Sequence, residues 1–413
     1  MKTIRSIIAP VFISLVLLLF LEIFLRVFFP PKIDSTEHVA AFQYHPEYLV
    51  GLRPNMEKKY MRSAVNGSDT ISWSSNTEGF RGKELSPKEV RIMVYGDSNI
   101  QARFSELSHT YPWYLQKFLN DSTGREVEVI NSGIVGFGPD QSLLKFKEEK
   151  DVYNPDIIIL QVFADNDFGD IVRNRLFKID NNGQLIQSNI ESELDPALEE
   201  YIERNKTFGY LRILDAVNKI RRSVKNEKEA IINADRMIAL CNKLCTQEFE
   251  SYMEEGATTF SHFADHYDID VASKPESIIS KQKLQLMDLI LKEFYEETKA
   301  SEIELVVLIE PSSVDLSENA YLSYKDLQKR FPNYSQDNLS SAIAAICLKY
   351  NIQHINLFDV FLNNEPSTLY FRQDDDHWTD KAQKIAAKLT SDQLYKNPLF
   401  KRDSIRTQYK DEE

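Results

Sequence analysis

The clearest regularity along the chain is a series of short apolar runs that each stop on small or polar residues. Runs near 91–95, 126–130, 156–162, 304–309 and 352–357 are each at least half apolar and too short for helices, so they predict five strands. The stretches between them are long enough for crossover helices. Strands alternating with helices imply an α/β fold, a three-layer α/β/α sandwich around a mainly parallel sheet. The stretch 185–300 breaks this rhythm. It is charged, rich in Leu, Ile, Lys and Glu, and mostly helical in pattern, as expected of a helical insertion that forms a lid or wall above the strand ends. The division that follows is an N-terminal segment 1–30, a stalk or extension 31–88, a first sheet part 89–184, the insertion 185–300, a second sheet part 301–395 and a charged tail 396–413.

A longer apolar pattern opens the chain. Ile7 to Phe29 is interrupted only by Pro10, Ser14, Glu22 and Arg26, and about twenty apolar residues suffice to cross a bilayer. Glu22 and Arg26 fall near the far end, where both can snorkel to the interface. No small-residue cleavage site follows, since Phe28-Phe29-Pro30-Pro31 is bulky and stiff, so a retained signal-anchor is expected rather than a cleaved peptide. Lys2 and Arg5 favour a cytoplasmic N-terminus, which would put the body of the protein outside the cytoplasm, in the periplasm or cell envelope.

Composition narrows the chemistry. The chain has 413 residues, 42% of them apolar, and a formal net charge of −14 without a basic cluster, which argues against nucleic acid or another polyanion as partner. Three cysteines, Cys241, Cys245 and Cys347, supply no disulfide framework. Cys241 and Cys245 are four apart on a helix-like run, the spacing of packing residues. His262 and His266, with Asp265 between them, read as a solvated helix face. Neither a metal nor another cofactor is expected.

The candidate chemistry lies at the ends of the predicted strands. Arg91-Ile92-Met93-Val94-Tyr95 stops on Gly96-Asp97-Ser98, which puts a hydroxyl at the carboxyl edge of the sheet, where open α/β folds bind ligands. A base is supplied near the C-terminus by Asp374-Asp375-Asp376-His377. A neutral imidazole can take the serine proton when a carboxylate holds its other nitrogen, and Asp374 and Asp375 both qualify, whereas Asp376 is adjacent and poorly placed. Between them, Gly133, Gly136 and Gly138 follow the strand at 126–130 and permit close backbone approach to a ligand. The strand at 156–162 ends in Asp165-Asn166-Asp167, and the neutral amide of Asn166 is suited to donate to a developing oxyanion.

The order of these four segments resembles the SGNH, or GDSL-type, hydrolase superfamily, whose blocks contribute Ser, Gly, Asn and His. By position, Ser98 matches the nucleophile, Gly136 in Asn131-x-Gly-x-x-Gly136 the glycine donor, Asn166 the amide donor and His377 the base, with Asp374 or Asp375 as its acid. The resemblance implies a flavodoxin-like SGNH fold and an oxyanion hole made of the Ser98 and Gly136 N–H groups and the Asn166 amide. Two positions depart from the family pattern: Asn99 replaces the usual apolar residue after the serine, and Ala164 stands where glycine is usual. Asn76-Thr77-Glu78-Gly79-Phe80-Arg81-Gly82 is also similar to a segment of membrane-anchored bacterial members, and a structural role is expected for it.

The resemblance implies a serine esterase acting on O-acyl esters such as O-acetyl groups, with acylated cell-envelope carbohydrate as the expected substrate and the membrane as the expected point of attachment. The alternatives are an O-acyltransferase with a glycan acceptor, since anchored relatives act in alginate O-acetylation, and a catalytically silent envelope protein that binds glycan or an assembly partner.

Overall fold

The computed structural model describes residues 2–28, 41–61, 70–188, 213, 234–254, 266–318, 320, 322–372 and 375–400. The chain divides into two compact units, one made of 1–41 with 193–236 and the other of 42–192 with 237–413.

In the first unit the described residues are helix α1 (Lys2–Phe28), Ala41, Ile213 and 234–236. Expected to snorkel, Glu22 is instead buried, and its carboxylate accepts the Ile213 N–H at 3.1 Å. The apolar side chains from Val11 to Phe24 are largely exposed, Phe12 and Phe20 each at 66%. Among the described residues no helix is long and apolar enough to cross a membrane, so the spanning helix expected from Ile7 to Phe29 is not met there.

The second unit is built on five strands, β1 (Val90–Tyr95), β2 (Val127–Asn131), β3 (Ile157–Phe163), β4 (Glu304–Glu310) and β5 (Gln353–Asn356). They coincide with the five apolar runs of the sequence. All pairings are parallel, in the order β5-β4-β3-β1-β2. Parallel neighbours require crossover connections, and helices therefore cover both faces. All seven residues of β3 are buried, which explains its continuous apolar run where a one-sided sheet would alternate.

On one face, Ile92, Val94, Ile159, Val306 and Leu308 pack with Leu115 and Leu119 of α3 (Tyr111–Thr123) and with Ala382 and Ala386 of α10 (Asp380–Leu394). The Tyr111 hydroxyl donates to Thr390 Oγ1 at 3.0 Å, joining these two helices. On the other face, Tyr95 meets Phe146 of α4 (Pro139–Tyr153) and Phe294 of α8 (Ile278–Ala300) edge-on. Phe146 and Phe294 stack at 5.0 Å. Helix α8, inside the stretch read as an insertion, is thus a layer of the sandwich. The same stretch also contributes α6 (Ala234–Met253) and α7 (Ile269–Ser273), while α9 (Asn338–Tyr350) leads into β5.

Strand order reverses beside β1: the chain goes next to β2 on one side and then to β3 on the other. In open α/β sheets this switch point is where ligand crevices form, and here it lies between the ends of β1 and β3.

Candidate active site

Beyond β1 the chain turns at Gly96 and enters a one-turn helix, α2 (Ser98–Gln101), with Ser98 as its first residue. A Cβ at Gly96 would lie 2.2 Å from Gln161 Oε1 and 2.7 Å from Ile100 Cγ1, so this close approach admits only glycine. Gln161 fixes the turn by accepting the Asp97 N–H at 2.9 Å and donating to Glu310 Oε2 at 2.8 Å, which ties β1, β3 and β4 together at their carboxyl ends. Asp97 caps α2 by accepting the Asn99 N–H at 2.7 Å.

The far end of α2 is held by two side chains. Arg81 is buried, and its guanidinium donates to the carbonyls of Gln101 and Ala102 and, at 2.6 Å, to that of Ser105. Asn131, the last residue of β2, donates to the Ile100 carbonyl at 2.8 Å. The structural role expected for the segment around Arg81 therefore has a specific form, a clamp on the carbonyl end of the helix that carries Ser98.

After β2 the chain reaches Gly136 with φ +73°, a conformation that favours glycine, and no atom lies within 4 Å of the position a Cβ would take. After β3, Asn166 stands at the N-cap of α5 (Asp167–Asn174), buried, yet its side chain makes no capping bond. Its Oδ1 accepts no hydrogen bond from the described residues. The neighbouring Asp167 carboxylate instead accepts the Phe163 N–H at 2.6 Å and closes the turn.

His377 lies on a hairpin that the sequence pattern did not reveal, formed by β6 (Tyr370–Arg372) and β7 (Asp375–Trp378). Pairing goes from Tyr370 with Trp378 to Arg372 with Asp375, leaving one extra residue on β7. Such a bulge re-aims side chains. Here the Asp376 carboxylate lies 3.5 Å from His377 Nδ1, nearer than its adjacency suggests: neighbouring residues of a regular strand face opposite ways, and the bulge relaxes that constraint. Asp374 lies outside the described residues, and of Asp375 only the backbone is described. The His377 ring meets Phe104 edge-on at 5.3 Å.

One hydrogen bond joins the serine and histidine segments. Asn99 Oδ1 accepts the Trp378 N–H at 2.7 Å, and Gln383 Nε2 of α10 donates to the Asn99 carbonyl at 2.8 Å. Ser98, Gly136, Asn166 and His377 therefore belong to four segments gathered at one edge of the sheet. Sequence reasoning noted Asn99 only as a departure from the family pattern.

Beneath this edge the environment is acidic and buried. Burial pushes Asp97 up to about 7, opposed by the hydrogen bond from Asn99; Asp376 acts in the same upward direction and His377 against it. Burial, and then the nearby Asp376, raise Asp165, whose carboxylate accepts the Ser312 hydroxyl. Glu310 is raised by burial and next by Asp97. These acids favour their protonated forms because the low-dielectric interior penalises charge.

A second group of side chains gathers behind α5. Cys245 Sγ, His266 Nε2 and carboxylate oxygens of Glu248 and Asp268 all lie within 4.8 Å of one another, and all four residues are buried. His266, expected on a solvated face, is instead buried between α6 and α7, and Cys245 is its neighbour rather than a plain packing residue. His262 and Asp265 lie outside the described residues.

No family model matches the chain, and no curated protein matches it. Among solved structures it is similar to the psychrotrophic esterase EstA from Pseudoalteromonas sp., at 12% identity over 74% of this chain and 97% of that one, with a TM-score of 0.35. It is also similar to the lipase/acylhydrolase from Enterococcus faecalis, at 10% identity over 74% and 95% of the two chains, with a TM-score of 0.36. A catalytic mutant of Axe2, an acetylxylan esterase from Geobacillus stearothermophilus, aligns at 10% identity over 75% and 96%, with a TM-score of 0.37.

Proposed function

We propose that this chain is a serine esterase that removes O-acyl groups, with O-acetyl esters of cell-envelope carbohydrate as its substrate class. The observation that carries the reading is the bond from the Trp378 N–H to Asn99 Oδ1, which draws the segments bearing Ser98 and His377 to one edge of the sheet. Ser98 Oγ attacks the ester carbonyl while His377 takes its proton. The oxyanion is held by the N–H groups of Ser98 and Gly136 and by the Asn166 amide, a side chain with no capping duty. Collapse breaks the bond to the alcohol oxygen, which leaves with the proton held by His377. Water, deprotonated by the same imidazole, then releases the acid and restores the serine.

An Asp of the run 374–376 holds the imidazole. Of the described carboxylates, Asp376 supports this role by its 3.5 Å approach to Nδ1. The exposed apolar surface of α1 supports attachment to a membrane, where envelope polysaccharide would be within reach. Sedimentation with membranes that survives carbonate washing, and its loss on deleting residues 1–30, tests that attachment.

Fluorophosphonate labelling of the chain tests the chemistry. Labelling that disappears in both Ser98→Ala and His377→Ala establishes an activated serine. Radiolabelled acetyl donors then separate free acetate, the product of hydrolysis, from label retained on a glycan acceptor. A folded wild type that takes no label would overturn the esterase reading in favour of a silent glycan-binding protein.

A further inference from the structure

We propose that Cys245, Glu248, His266 and Asp268 bind one divalent transition-metal cation, zinc being the ion this donor set suits best. Cys245 and Glu248 are three apart on α6, so they project from one face. His266 and Asp268 are two apart in the segment entering α7. The two pairs face each other in the interior.

Two of the separations are those of a coordination shell. His266 Nε2 lies 3.4 Å from Cys245 Sγ and 3.4 Å from Glu248 Oε1. Ligands bound tetrahedrally at roughly 2.0–2.3 Å from zinc stand about 3.3–3.6 Å apart. For a nitrogen–oxygen hydrogen bond the same separation is long. Sulfur, imidazole nitrogen and carboxylate oxygen together suit zinc and its first-row neighbours, whereas magnesium and calcium select oxygen alone.

Two further observations point to a cation. Glu248 is 1% exposed, and its Oε2 has no hydrogen-bond partner, with Lys283 Nζ no nearer than 3.7 Å. Such an orphaned buried oxygen is costly. Buried carboxylates also crowd this place: Asp170, Glu248, Asp268 and Asp270 lie in ion-pair contact with Arg173, Lys283 and the His266 imidazole. Lys283 donates to Asp268 Oδ1 at 2.6 Å and Arg173 to Glu248 Oε1 at 2.8 Å, the kind of outer contact that orients metal-binding carboxylates and leaves lone pairs for the ion.

The site would join α6 and the start of α7 to α5. Asp268 Oδ2 accepts the Gly169 N–H at 2.9 Å, and Arg173 belongs to the same helix, which begins beside Asn166. A bound ion therefore stabilises the wall on which Asn166 stands.

The test is metal analysis of the full chain, purified without chelator, with the melting temperature as a second readout. About one equivalent of zinc is expected, with a drop in melting temperature when a strong chelator removes it. Cobalt(II) added to the stripped chain should give a thiolate-to-cobalt charge-transfer band. That band should vanish in Cys245→Ser and persist in Cys241→Ser, and His266→Ala should weaken cobalt binding at least tenfold. Absence of the band from the folded, stripped wild type, with melting unaffected by chelator, would overturn the proposal; this outcome is independent of esterase activity and of how the variants fold.

Discussion

Asn99 Oδ1 accepts the backbone N–H of Trp378 at 2.7 Å, so the residue after Ser98 is bonded directly to the residue after His377. Both residues are buried, Asn99 and Trp378 each at 1% exposure. In an interior of low dielectric such a bond is strong when made and costly when one partner is removed. An apolar side chain at position 99 would pack there but could not accept, and the hairpin carrying His377 would lose its tie to the helix carrying Ser98.

Asn99→Leu should therefore lower fluorophosphonate labelling and ester turnover by at least tenfold, because small misplacements of reacting groups are expensive in rate. The loss of stability should be about 1–3 kcal/mol, the cost of stranding a buried N–H. Measuring kcat and melting temperature together checks this. Unchanged kcat would show that the bond does not position the pair.

Arg81 acts one step further from the substrate edge. Arg81→Met removes the donors to the carbonyls of Gln101, Ala102 and Ser105 and should destabilise the chain by about 2–4 kcal/mol. Ser98 labelling should slow, with Arg81→Lys restoring part of it, since a lysine keeps the charge but not the planar fork. Equal labelling rates in wild type and both variants would leave Arg81 a purely structural residue.

Three fully buried carboxyls, Asp97, Asp140 and Asp315, are each pushed up to about 7, chiefly by burial. The folded chain holds these protons to higher pH than the unfolded chain does. Each group's contribution to stability is therefore full below about pH 4, falls as pH rises towards about 7, and levels off above that. Glu248, lowered to about 2 by contacts with His266, Arg173 and Lys283 that outweigh its burial, works oppositely but only below about pH 4. Stability should thus increase from pH 7 to pH 5, by about 1 kcal/mol per pH unit for each titrating group. Urea midpoints across this range test it, and Asp315→Asn should flatten the slope; a rise in stability from pH 5 to pH 7 would contradict the burial argument.

The acid that holds His377 is decided by three single substitutions, Asp374→Asn, Asp375→Asn and Asp376→Asn. The 3.5 Å approach of Asp376 predicts that its replacement costs the most, on the order of 10³–10⁴ in kcat if it fixes the imidazole tautomer. A steep loss confined to Asp374→Asn or Asp375→Asn would assign the role to that residue instead.

The sequence by itself determined the five strands, because four of them are local runs rich in buried apolar residues, and a run of that kind needs no distant partner to be seen; the edge strand β5 buries only Ile355. It also determined the order of the Ser98, Gly136, Asn166 and His377 segments, since each follows a strand or stands apart as a polar cluster. What joins those segments was decided only by tertiary structure. Asn99 and Trp378 are 279 residues apart, and no periodicity links them. The bulged hairpin of His377 has an acidic, non-alternating sequence, so the approach of Asp376 depends on a backbone irregularity that pattern cannot register. Arg81, one of several charges in a polar segment, becomes a clamp only where α2 ends against it, and Cys245 meets His266 only because α6 and the start of α7 pack together behind α5. Local burial patterns are written along the chain, whereas pairings of isolated polar side chains arise when the packing of apolar layers brings their backbones close and leaves each polar atom in need of a partner.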